Sequence, residues 1–191
     1  MGPISTPLLR HMFRQASQDP DRHAFSLWQN LLHERFPSPG VHSVICDIPP
    51  ADRPPRDTLV VSRYDAARNT MTPLLWVECR VRGGTVEGLE RQAVESAKSC
   101  LETSGLPSVF VLTVVGVSFR VWLYEDGADQ LTSLYGSPSV ANLGQYIDVD
   151  SEKADLLMFF FELARNGARN VRDARERLLD HLVARTNGHL E

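Results

Sequence analysis

Two acids and a cation interrupt an otherwise apolar, strand-like stretch of this chain. Asp57 enters the run Thr58–Val61, and Glu78-Cys79-Arg80 closes the run Leu74-Leu75-Trp76-Val77. Asn69 and Thr70, just before Pro73, have turn composition, so residues 56–80 read as two strands joined by a turn. Side chains alternate along a strand. Leu74, Trp76, Glu78 and Arg80 therefore share one face, and Leu75, Val77, Cys79 and Val81 the other. The second face is wholly apolar and is expected in the core. The first carries an acid and a cation two residues apart, beside Trp76. Burying an unpaired charge is costly, so this pair calls for a partner, a metal ion or a wet cleft.

The surrounding elements can be read from punctuation and periodicity. Thr6 before Pro7 and Asp19 before Pro20 signal two helices between Pro7 and Phe36. In the second, Phe25, Trp28, Leu32 and Phe36 fall on one stripe, with Glu34 off it. Val41–Ile48 reads as a first strand, and the proline-rich loop Pro49–Pro55 leads into Asp57 with Arg53 and Arg56 nearby. Asp65 suits a turn-forming role. After Gly83-Gly84, Thr85 caps a helix reaching about Glu102 and closed by Gly105, whose apolar stripe is bordered by Gln92. Ser108–Val115 and Val117–Tyr124 are β-forming runs broken at Gly116, and Leu131–Tyr135 is a further short strand. A helix capped by Asp150 or Ser151 runs through Arg165, and Ala168–Arg185 forms another. Arg165, Arg169 and Arg172 line an edge there, a pattern that usually marks a solvated face.

This arrangement resembles the restriction-endonuclease-like superfamily of PD-(D/E)xK nucleases. In that family an Asp begins one strand, a hairpin comes next, and (D/E)-x-K closes the second strand. Arg56-Asp57 stands where the family has Pro-Asp, and Glu78-Cys79-Arg80 where it has Glu-x-Lys. Gln92-Ala-Val-Glu-Ser96-Ala97 is similar to the family's Gln-x-x-x-Tyr-Ala helix signature, with Ser96 in place of tyrosine. Gly116-Val-Ser-Phe-Arg120-Val-Trp is similar to the segment after that helix in many nuclease-like domains. The resemblance covers roughly residues 20–125. It implies an α/β fold with an αβββαβ core, a central mixed sheet flanked by helices, with extra C-terminal helices added. It further implies Mg²⁺ or Mn²⁺ held by Asp57, Glu78 and the backbone carbonyl of Cys79, with Glu34 as a further ligand. Arg80 and Gln92 would then serve catalysis, and Arg53, Arg56 and Arg82 would contact nucleic acid. Arg80 can supply charge to a phosphate but cannot act as a base, because arginine does not deprotonate in proteins.

Length and composition bound these readings. The chain has 191 residues, 42% of them hydrophobic, enough for one domain over residues 1–191, with a core over roughly 20–135 and a helical extension over roughly 150–187. A formal net charge of −4 argues against non-specific coating of nucleic acid but leaves room for a local basic groove. Three cysteines in apolar runs read as reduced core residues, and six scattered histidines lack zinc-ligand spacing. No stretch reads as a membrane span or a signal-peptide core, so no membrane partner and an intracellular location, cytoplasm or nucleus, are expected. Two functional classes remain. One is a metal-dependent nuclease with weakened or lost activity. The other is a catalytically inactive nuclease-fold module for binding nucleic acid, a protein partner or a second copy of itself. In the second class Glu78 and Arg80 would pair with each other, or form a closed network with Asp57.

Overall fold

The computed structural model describes residues 2–37, 40–47, 57–80, 83–138, 141–166, 172–174, 176–178 and 180–181. Arg53, Arg56, Val81, Arg82, Arg169 and the proline-rich loop lie outside the described residues. The helix signals act as expected. Thr6 Oγ1 accepts the Leu9 N–H at 3.3 Å and Pro7 opens α1 (Pro7–Gln18), while Pro20 opens α2 (Pro20–Arg35). Ala24, Leu27, Trp28, Leu31 and Leu32 are the buried residues of α2, so its apolar stripe is broader than the expected line and Phe25 is only half-buried.

Among the described residues, seven strands make one mixed sheet: β1 (His42–Asp47), β2 (Asp57–Asp65), β3 (Thr70–Cys79), β4 (Ser108–Val115), β5 (Ser118–Glu125), β6 (Thr132–Ser133) and β7 (Ile147–Asp148). The spatial order is β1-β2-β3-β4-β5-β6, with β7 also on β5. β3 and β4 run parallel and the other pairs antiparallel. A parallel pair needs a long crossover, and α3 (Val86–Ser104) supplies it between those two strands. Thr85 Oγ1 caps α3 by accepting the Gly88 N–H at 3.0 Å, and Gly105 ends it at φ 65°.

The turns are built as their composition suggests. Asp65 Oδ1 accepts the Ala67 and Arg68 N–H groups, which folds the chain back from β2 into β3. The β2–β3 register shifts between Val61 and Ser62, next to Pro73, which has no N–H for the ladder. Gly116, at φ 60° between β4 and β5, accepts the Trp28 indole N–H at 2.8 Å. A Cβ there would stand 3.2 Å from Pro20 Cβ, so glycine serves both the turn and the close approach of α2.

Helices cover both faces, giving an α/β architecture. On one face, Leu59, Val61, Leu75, Val77 and Cys79 pack with the buried residues of α1, α2 and α4 (Asp155–Asn166). On the other, Val109, Val111, Trp122 and Tyr124 pack with Ala93, Ala97 and Leu101 of α3. The expected alternation along β3 holds: Leu75 and Val77 are buried, as is Cys79. Cys46, by contrast, is exposed on the edge strand β1, so it is not the core residue its apolar surroundings suggested. The helix expected to start at Asp150 or Ser151 begins instead with a 3₁₀ turn, Glu152–Ala154, before α4. Residues 172–174, 176–178 and 180–181 are helical, and Ala174 and Leu178 join the core. Among the described residues, no helix is long and apolar enough to cross a membrane.

Phe160 of α4 is 1% exposed and meets Phe110 of β4 edge-to-face at 5.4 Å, tying α4 to the sheet. Phe160→Ala is expected to lower unfolding stability by about 3–5 kcal/mol. Urea melts of both proteins measure this. A loss within error of zero would show that α4 is not part of the core.

Candidate functional site

The register decides where the acids go. Directly opposite residues of an antiparallel pair present their side chains on the same face. Thr58 stands opposite Glu78, and Asp57 stands opposite Cys79. Glu78 therefore lies on the α3 side of the sheet, whereas Asp57 shares its face with Cys79, the side covered by α1, α2 and α4. The register thus directs the Asp57 and Glu78 side chains to opposite faces of the sheet. Partial burial pushes the Asp57 carboxyl above its ordinary value.

Glu78 is 0% exposed. Its Oε1 accepts the Trp76 indole N–H at 2.8 Å. Its Oε2 accepts the Thr58 hydroxyl at 2.8 Å and the Gln92 amide at 2.7 Å. Each donor is placed by secondary structure: Trp76 two residues back along β3, Thr58 across the ladder, Gln92 on α3 overhead. Three neutral donors thus hold the carboxylate, not the cation expected beside it. Arg80 is half-buried just beyond β3, and its backbone N–H bonds the Val114 carbonyl at 2.9 Å. No ion pair joins Arg80 to Glu78 or to any other acid among the described residues.

The remaining expected site residues lie apart. Glu34 sits on α2, on the opposite side of the sheet from Glu78, where it accepts the Thr6 hydroxyl at 3.3 Å. Cys79 ends β3 between Asp57 and Val114 in register, so its carbonyl points within the plane of the sheet. Burial first, then the Asp57 and Glu78 carboxylates, push its thiol well above the usual range, which leaves it unreactive. Of the C-terminal arginines, Arg165 donates to the Arg35 carbonyl and stacks 5.4 Å from Phe36, while Arg172 pairs with Glu176 at 2.8 Å.

A second polar cluster occupies the same face, and sequence reasoning missed it. Glu90 of α3 and Arg120 of β5 form a buried ion pair at 3.4 Å. The Arg120 guanidinium lies 3.9 Å from the Trp122 ring centre and donates to the Ser137 carbonyl at 2.6 Å. Glu90 also accepts the Ala141 N–H at 2.6 Å and the Tyr146 hydroxyl at 3.1 Å. The donors run in one direction. Trp122 N–H donates to Thr113 Oγ1 at 2.9 Å, Thr113 donates to Tyr146, and Tyr146 donates to Glu90. Burial is the main cause that raises the Tyr146 pKa, so its hydroxyl keeps its proton. Thr113 pairs in register with Glu78, which makes the two clusters neighbours across β3 and β4. The signal was present in the sequence: Glu90 interrupts the apolar side of α3 next to Leu89 and Ala93, and Arg120 shares a strand face with Trp122 and Tyr124.

A divalent cation does not fit this arrangement. Magnesium needs near-octahedral oxygen ligands, and here the two motif carboxylates point to opposite sides of a sheet. The Glu78 oxygens already face three donors, in a position closed to solvent. Among the described residues, no group of three or more His, Cys, Asp and Glu side chains could hold a metal ion. A pocket of about 240 Å³ opens beside Glu90, Trp122 and Leu131, and Glu78 is not part of its lining. No family model, no curated protein and no solved structure matches this chain.

Glu78→Gln replaces one acceptor oxygen by a donor, so either the Trp76 indole N–H faces a donor or the Thr58 hydroxyl and the Gln92 amide must both turn round to accept. The substitution is expected to lower stability by about 1–3 kcal/mol, the cost of leaving a buried polar group unpaired. Chemical denaturation measures it. An unchanged or higher stability would mean that the three bonds to Glu78 contribute nothing to the fold.

Proposed function

We propose that this protein is a PD-(D/E)xK-like module in which the motif glutamate has become a structural anchor, and that it works by binding and assembly, not by phosphodiester hydrolysis. The observation that carries this reading is the engagement of Glu78 by Thr58, Trp76 and Gln92 in a fully buried position. In a nuclease this carboxylate would have to reach a metal ion and, through it, a water and a scissile phosphate. Two further features support the reading. Asp57 projects from the other face. Arginine stands at position 80, where a lysine would be needed to exchange a proton. The element order α2, β1–β3, α3, β4 supports the family resemblance itself.

Melting curves with and without millimolar Mn²⁺ test this, together with cleavage assays on labelled DNA and RNA. A ligand bound only by the folded state raises the melting temperature by mass action. The expected result is no metal-dependent shift and no cleavage, for the wild type and for Arg80→Lys alike. A Mn²⁺-dependent shift or cleavage that Glu78→Gln abolishes would overturn the proposal and restore the nuclease reading.

A further inference from the structure

The two ends of the sheet differ in kind. One ends in β6 and β7, two residues each, the short strands that natural sheets use to blunt an edge. The other ends in β1, six residues long and paired only with β2 among the described strands. The Tyr64 N–H bonds the Val41 carbonyl at 2.7 Å, and this sets the phase of the β1–β2 ladder. Backbone groups alternate along an antiparallel strand, so residues 41, 43, 45 and 47 point toward β2. The N–H and C=O groups of His42, Val44 and Cys46 point outward. No described group takes them up.

The edge carries few of the usual guards, and its one acid is Asp47 at the end of the strand. Residues 41–46 contain no proline, lysine, arginine or acid. Val41 is 44% and Ile45 52% exposed, and Tyr64, opposite Val41 on β2, is 37% exposed. These three side chains share the face on which α3 packs over β3, β4 and β5.

We propose that the outer edge of β1 pairs antiparallel with β1 of a second copy of the chain, about a two-fold axis at Val44, joining the two sheets into one. Outward residues must meet outward residues for their backbone groups to bond. The register with the longest overlap then sets Val44 against its counterpart, and His42 against Cys46 of the other copy. The same symmetry brings the exposed strips of Val41, Ile45 and Tyr64 together on one continuous face. A second copy fits this edge because the strand is uncharged between Val41 and Cys46, so nothing in it repels its own image. The inference does not depend on whether Glu78 binds a metal.

Sedimentation equilibrium of the full chain over a wide concentration range tests it. The wild type is expected to show a monomer–dimer equilibrium. Val44→Pro removes an outward N–H without touching the β2 ladder, and Ile45→Lys places like charges near the axis on an exposed position. Both variants are expected to be monomeric with unchanged far-ultraviolet circular dichroism. In a Cys46→Ser background, Val44→Cys should form a disulfide-linked dimer on mild oxidation, because facing residues lie within disulfide reach. Ser43→Cys should not. A wild type that is monomeric throughout overturns the proposal, as does a dimer that neither Val44→Pro nor Ile45→Lys weakens. Cross-linking through residue 43 in place of 44 overturns the register. A monomer that instead captures an extended peptide at this edge also overturns it.

Discussion

A carboxylate closed off from water must have its oxygens met by donors, and that requirement organises the α3 side of this protein. Glu78 takes one donor from its own strand, one from the neighbouring strand and one from the helix above. The position of α3 over β3 is thereby tied to a point in the sheet and not only to an apolar surface. Hydrophobic contacts tolerate sliding, whereas three bonds converging on one side chain do not.

The Glu90–Arg120 pair does comparable work two strands further along. Its partners are Ser137, Ala141 and Tyr146, so it pins these three positions outside α3 and β5 onto the sheet. Removing either charge alone would leave the other buried without a counter-ion, a larger loss than the pair itself contributes. The Trp122–Thr113–Tyr146 relay and the register contact of Thr113 with Glu78 make this face an extended polar layer beneath α3. The opposite face is apolar across its centre. The α3 side thus combines polar bonds with the apolar cluster around Trp122 and Leu101, whereas the other side relies on apolar packing.

Much of this was legible in the sequence, and the failures have physical causes. Helix starts at Thr6, Pro20 and Thr85, the stop at Gly105 and the turn at Asp65 are local features, written in a few adjacent residues. Alternation along β3 was equally local. Cross-strand phase was not, because a shift of one residue exchanges the faces without altering either strand's own pattern. That shift sets Thr58, not Asp57, against Glu78. The contact of Gln92 with Glu78 comes from both pointing between helix and sheet. The Glu90–Arg120 pair joins positions 30 residues apart and needed the fold before it could be seen, although each charge was conspicuous in its own apolar surroundings. Cys46 looked like core because its neighbours are apolar, but it is exposed on β1, which pairs only with β2 among the described strands.

The central claim, that Glu78 is held by donors and closed to metal, can be read at a single proton. The three tryptophan indoles donate to different acceptors: Trp28 to the Gly116 carbonyl, Trp76 to Glu78 and Trp122 to Thr113. Their ¹H–¹⁵N resonances therefore form an internally controlled set, and paramagnetic Mn²⁺ broadens signals close to where it binds. With Glu78 as anchor, the Trp76 indole signal keeps its intensity relative to Trp28 and Trp122 as Mn²⁺ is raised to millimolar levels. Selective, saturable loss of the Trp76 signal, reversed by a chelator, would place a metal ion at Glu78 and contradict the account.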